Sequence, residues 1–80
     1  MNLSELRFKA NQISREVRTD MGDKGSCILG YNLNVDGSQF ISQPAQGSST
    51  CERVYREVKE MLVDNGVDAD RISIDYGSMD

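Results

Sequence analysis

Apolar residues recur at two different periods along this chain, and the switch between them marks its elements. Leu3, Leu6, Ala10, Ile13 and Val17 stand three and four apart. That spacing draws one stripe down a helix running from about Asn2 or Ser4 to Thr19. Asp20-Met21-Gly22-Asp23-Lys24-Gly25-Ser26 breaks the stripe with two glycines and several charges, the composition of a loop. From Cys27 the period becomes two: Cys27, Leu29, Tyr31, Leu33 and Val35 alternate with Ile28, Gly30, Asn32 and Asn34. This is a strand with one apolar face.

Asp36-Gly37 follows, two residues that tolerate positive φ and so favour a tight hairpin. The return strand is expected from Ser38 to about Gln43, where Pro44 would end it. A two-residue turn sets Val35 opposite Ser38, Leu33 opposite Phe40 and Tyr31 opposite Ser42. Phe40 then faces the core and Ile41 the other side. Ser49-Thr50-Cys51-Glu52 has the form of a capping box, with the Ser49 hydroxyl and the Glu52 carboxylate exchanging bonds with each other's amides. The second helix carries Cys51, Val54, Tyr55, Val58, Met61 and Leu62 as its stripe and runs to about Asn65. Its outer face gains from Glu52 with Arg56 and Arg53 with Glu57 at four-residue spacing. Gly66 stops it in the left-handed conformation, with Val67 as the apolar contact. After a connector at Asp68-Ala69-Asp70, Arg71 to Tyr76 alternates as a last strand with Ile72, Ile74 and Tyr76 inward. Gly77 to Asp80 is expected to fray.

The order is therefore α-β-β-α-β. Two helices with single stripes must cover a sheet with a single apolar face, so the expected fold is an α+β two-layer sandwich: a three-stranded, mostly antiparallel sheet covered on one face by two helices. The last strand runs parallel to the second and has room beside either hairpin strand. Eighty residues with no divisible linker make one domain, 1–80, with a small core. With 38% hydrophobic and 28% charged residues the chain has enough apolar material to fold. No apolar run approaches the roughly 18 residues of a membrane span. No secretory signal opens the chain, so a cytoplasmic location is expected; a mature secreted form is the alternative.

Charge narrows the partners. The net charge is -4, which disfavours wholesale binding to nucleic acid. Residues 57–80 hold two bases (Lys59, Arg71) against seven acids (Glu57, Glu60, Asp64, Asp68, Asp70, Asp75, Asp80) and so carry most of the negative charge. Asp64, Asp68, Asp70 and Asp75 form a candidate acidic surface, able to meet a basic partner or to imitate a phosphate backbone; a solvated face is the plainer reading.

Chemistry is sparse. The chain has no histidine, which removes the commonest general base, the commonest metal ligand and every Ser-His or Cys-His pair. Gly22-Asp23-Lys24-Gly25-Ser26 lacks the Gly-Lys-Ser/Thr order of a phosphate loop and leads into a strand. Asp64 to Asp70 is rich in oxygen ligands, but its glycine is misplaced for a calcium loop and no distant Glu follows. Two cysteines without histidine cannot make a common zinc site. Cys27 and Cys51 both point inward and are expected as buried free thiols, with a disulfide as the alternative. No enzyme, cofactor or metal is expected.

The sharpest local anomaly is Phe8. On a wheel of about 100° per residue it lies almost opposite Ala10, the centre of the stripe. Asn11, Gln12 and Arg15 surround it, at offsets of three, four and seven. An aromatic ringed by long polar side chains has the make-up of an interface hot spot; packing under a loop or the hairpin edge is the structural alternative. Val63 and Ile41 are weaker candidates for exposed apolar contacts.

The stretch from Val58 to Ser73 resembles the helix-to-strand passage of OmpA-like peptidoglycan-binding domains, over about a fifth of the chain. The family's Asn-Leu-Ser-x-x-Arg-Ala motif is replaced here by Ser49-Thr50-Cys51-Glu52-Arg53-Val54. The shared pattern is a generic helix, Gly-Val, turn and strand. The leading expectation is a small acidic protein-binding module, an inhibitor or adaptor of a larger complex, comparable in composition to phage-borne inhibitors of host defence and nucleic-acid enzymes. A homodimer is open. The alternatives are a nucleic-acid-binding domain using Arg7, Arg15 and Arg18 of the first helix, and a small-ligand or peptidoglycan-type domain. The latter would use Asn32, Asn34, Gln39 and Gln43 on the outer sheet face.

Overall fold

A computed structural model describes residues 2–22, 29–45 and 48–78. The elements run α1 (Leu3–Asp20), β1 (Leu29–Val35), β2 (Ser38–Ala45), α2 (Ser48–Asp64), a 3-10 turn (Ala69–Arg71) and β3 (Ile72–Ser78). The α-β-β-α-β order and the α+β architecture are as the periodicities require.

Helix α1 opens on Asn2, whose side-chain oxygen accepts from the Glu5 amide at 2.9 Å. That bond satisfies one of the four donors a helix start leaves free. Its stripe buries Leu6, Ala10 and Val17, with Ile13 packed against them and Leu3 left exposed at the end. Ser14 is also fully buried, a small polar residue within the stripe. No buried side-chain polar atom among the described residues lacks a hydrogen-bond partner. Helix α2 buries Cys51, Val54, Val58 and Leu62 completely. It begins at Ser48, so Ser49 stands inside the first turn and is not the cap that its sequence context suggested. At the other end Gly66 adopts φ +93. Val67 N donates to Leu62 O at 3.0 Å and Gly66 N to Val63 O at 3.0 Å. This is the paired closure that a left-handed glycine permits, with Val67 buried beneath it.

The hairpin turns on Asp36 (φ 56) and Gly37 (φ 78), the mirror-image turn that matches strand twist. Val35 pairs with Ser38 as expected, but the register slips between Leu33 and Asn34. Phe40 is the extra residue: Leu33 pairs with Ile41, and Tyr31 with Gln43. The expected pairings Leu33–Phe40 and Tyr31–Ser42 are corrected accordingly. The bulge leaves two successive side chains in the core, Phe40 at 4% and Ile41 at 3% exposure. Ile41 is therefore not on the outer sheet face.

Pro44 does not end β2, which continues to Ala45. The reason lies in the phase of the ladder. Asp36 N donates to Arg71 O at 2.8 Å, so the alternate pairs Asn34–Ser73 and Asn32–Asp75 exchange the β1–β3 bonds. Val35, Leu33 and Tyr31 then bond towards β2. Pro44, opposite Gly30, turns its nitrogen away from β1, and its missing N–H costs the ladder nothing.

The strand order is β2-β1-β3, and both pairings are antiparallel. The last strand thus settles beside β1, which makes the whole sheet antiparallel. It extends to Ser78, past the expected end at Tyr76, while Arg71 belongs to the preceding 3-10 turn. Both helices pack on one another and on the sheet. Leu33 lies at the centre of the core with no exposed surface. The other sheet face presents Asn32, Asn34, Gln39, Ser73 and Asp75, all exposed or half-exposed.

A clasp joins the hairpin turn to the start of β3. Arg71 Nε donates to Asp36 Oδ1 at 2.8 Å and Nη2 to Oδ2 at 2.6 Å, beside the backbone bond between the same residues. The hydrogen bond from Arg71, more than its charge alone, holds the Asp36 carboxyl below its ordinary value of 3.8. A depressed carboxylate pKa adds stability that is present above the unfolded value and lost as pH falls through the folded one. Asp36→Asn keeps the tolerance for positive φ and removes the charge. Its melting temperature should lie below that of the parent at pH 6, and the gap should narrow as the pH falls below the ordinary carboxyl value of 3.8. Gly66→Ala probes the backbone alone, because an added Cβ meets nothing within 4 Å. It should cost about 1–2 kcal/mol through its φ, a drop of roughly 4–8 °C per kcal/mol in thermal unfolding.

Candidate protein-binding face

The candidate face is the outer side of α1. Because Leu6, Ala10 and Val17 turn inward, Phe8 turns outward, and it is 67% exposed. Leu3 is 45%, Val63 44% and Met21 42% exposed, so Phe8 is the most exposed large apolar side chain among the described residues. Gln12 and Arg15 are exposed beside it and Asn11 is half-buried. The four residues singled out in the sequence therefore share one helix surface. Phe8 is not folded under a loop.

Two long-range contacts fix the helix that carries them. Arg7 Nε donates to the Phe40 carbonyl at 3.0 Å, and the guanidinium lies 5.3 Å from the Phe40 ring centroid. A cation over an aromatic face is attracted by the ring quadrupole. At the other end of α1, Arg53 Nη1 meets Asp20 Oδ2 at 2.8 Å while its Nε donates to Glu57 Oε2 at 2.7 Å. Arg53 thus ties α2 to the last turn of α1. Arg7 is committed to β2, so it does not join Arg15 in the basic patch that a nucleic-acid reading needs.

The acidic residues are exposed but dispersed. Asp64 ends α2, Asp68 and Asp70 flank and enter the 3-10 turn, and Asp75 lies on β3. Asp75 accepts from Asn34 Nδ2 at 2.9 Å on the open sheet face. The bulge shifts Gln43 into register with Tyr31 and out of the row that holds Asn32 and Asn34. Among the described residues no group of three or more His, Cys, Asp or Glu could hold a metal ion, and no helix is long and apolar enough to cross a membrane.

Neither the Arg7–Phe40 contact nor the Arg71–Asp36 clasp was legible in the sequence. Each joins residues more than thirty apart; the first also depends on the bulge at Phe40, and the second on β3 pairing with β1. On α2, Tyr55 and Val63 line a shallow surface groove with Arg56 and Lys59. The Lys59 ammonium lies 5.6 Å from the Tyr55 ring centroid.

Comparison with family models, with curated proteins and with solved structures finds no match to this chain. Cys51 is fully buried; Cys27 lies outside the described residues. A buried thiol is reached only when the surrounding structure opens. In a Cys27→Ser variant, Cys51 should react with a disulfide reagent at the rate of unfolding and should be labelled at once in denaturant.

Proposed function

We propose that this protein is a small non-catalytic module that binds another protein through the outer face of α1. The observation that carries the reading is the 67% exposure of Phe8 on a helix held at both ends by Arg7 and Arg53. Covering one such ring contributes about 1.5–3 kcal/mol, and a fixed helix loses little further freedom on binding. Gln12 and Arg15 would form a polar rim that excludes water from the ring. The partner would present an apolar recess with a carboxylate or carbonyl placed for Arg15. An inhibitor or adaptor role suits a chain without histidine that offers a rigid aromatic contact.

The test compares capture of partners from native lysate by the parent protein and by Phe8→Ala and Arg15→Glu. Phe8→Ala should weaken the captured complex by about 2 kcal/mol or more, roughly thirtyfold. Its thermal stability should stay within about 0.5 kcal/mol of the parent. Unchanged capture by both variants overturns the reading.

A further inference from the structure

A three-stranded sheet has two edges, and this one treats them differently. The outer edge of β2 is blocked in three ways. Phe40 bulges out of register, its carbonyl is taken by Arg7, and Pro44 has no N–H to offer on that side. Bulges and prolines are the usual means of stopping another strand from pairing. The outer edge of β3 carries neither. Since Ser73 and Asp75 bond towards β1, the N–H and C=O groups of Ile74 and Tyr76 point away from it, with the Ile72 carbonyl. The Ile72 amide alone is taken, by Ala69 O. No described residue bonds to the rest of that edge.

An open row of alternating donors and acceptors fits one shape of ligand, an extended chain. Charge decides which. Asp68 and Asp70 are exposed just before β3, Asp75 is exposed on its open face, where it accepts from Asn34, and the charge of Arg71 is already matched by Asp36. Pairing with a second copy would bring the same acids of both chains along one seam. A segment carrying lysine or arginine would meet them with opposite charge. We propose that the outer edge of β3 takes up an extended, basic segment of another protein as a fourth strand. This surface is separate from Phe8, because α1 packs towards β2, at the far side of the sheet.

The experiment titrates the intact chain with an acetylated, amidated Lys-Val-Lys-Val-Lys-Val-Lys peptide and with its glutamate counterpart, following backbone amides by NMR. The basic peptide should shift the amides of Ile74 and Tyr76 and slow their hydrogen exchange. It should bind about tenfold more tightly than the acidic peptide at low salt, and the difference should shrink as salt rises. Asp70→Lys with Asp75→Lys should reverse the preference without unfolding the protein. Tyr76→Pro, which places a proline outward as Pro44 does in β2, should abolish binding. Phe8→Ala should leave it unchanged, so failure here and failure of the α1 reading are told apart. Three results overturn the proposal: equal binding of both peptides, shifts confined to α1 or β2, or self-association through β3 in the absence of peptide.

Discussion

The structure is governed by a shortage of strands. The described residues supply three, so among them β1 alone is bonded on both sides, and β2 and β3 each leave one row of backbone groups without a described neighbouring strand. Every buried polar group needs a partner or water. The central strand, β1, carries Leu33, which has no exposed surface. The helices then cover one face only, because each has a single stripe to bury, and the opposite face remains polar. The sheet order, the orientation of both helices and the location of the free backbone all descend from that count.

The treatment of β2 links the edge to the candidate binding face. The bulge at Phe40 frees a carbonyl and brings two successive apolar side chains into the core. Arg7 takes the carbonyl and lies against the ring, which fixes the rotation of α1 about its axis. With Arg7 turned to β2 and Leu6 and Ala10 turned to the core, Phe8 has no inward direction left. The exposed ring is thus a consequence of how an edge strand is closed, and not an isolated surface residue. The same contact commits Arg7 of α1 to β2.

Much of this was legible in the sequence, and the failures share one cause. Elements with strong local signals came out where expected: the three-and-four spacing of α1, the Asp36-Gly37 turn, the Gly66 stop, and Phe8 opposite Ala10. Positions that depend on strand pairing did not. A bulge has no sequence signature as strong as a turn, so Phe40 and Ile41 read as opposite faces when both are buried. Pro44 read as a strand end because its tolerance depends on which side of the ladder its nitrogen faces. That side is set by a bond between Asp36 and Arg71, residues thirty-five apart. Ser14 was overlooked because a small hydroxyl carries no apolar signal, yet it is fully buried within the α1 stripe.

The asymmetry of the two edges is hard to explain by folding alone. An exposed strand with β-branched and aromatic residues invites unwanted pairing, and this chain has the means to prevent it, since it uses a bulge, a proline and an arginine to close β2. Applying none of these to β3 leaves a seven-residue strand whose guard against its own copies is electrostatic. Such a guard is selective where a proline is not: it repels like-charged strands and admits those of opposite sign. The acidic bias of residues 57–80 then becomes more than a solubilising feature. On the proposed reading it selects extended chains of opposite charge at the edge, while α1 exposes Phe8 on the side of the sheet nearer β2.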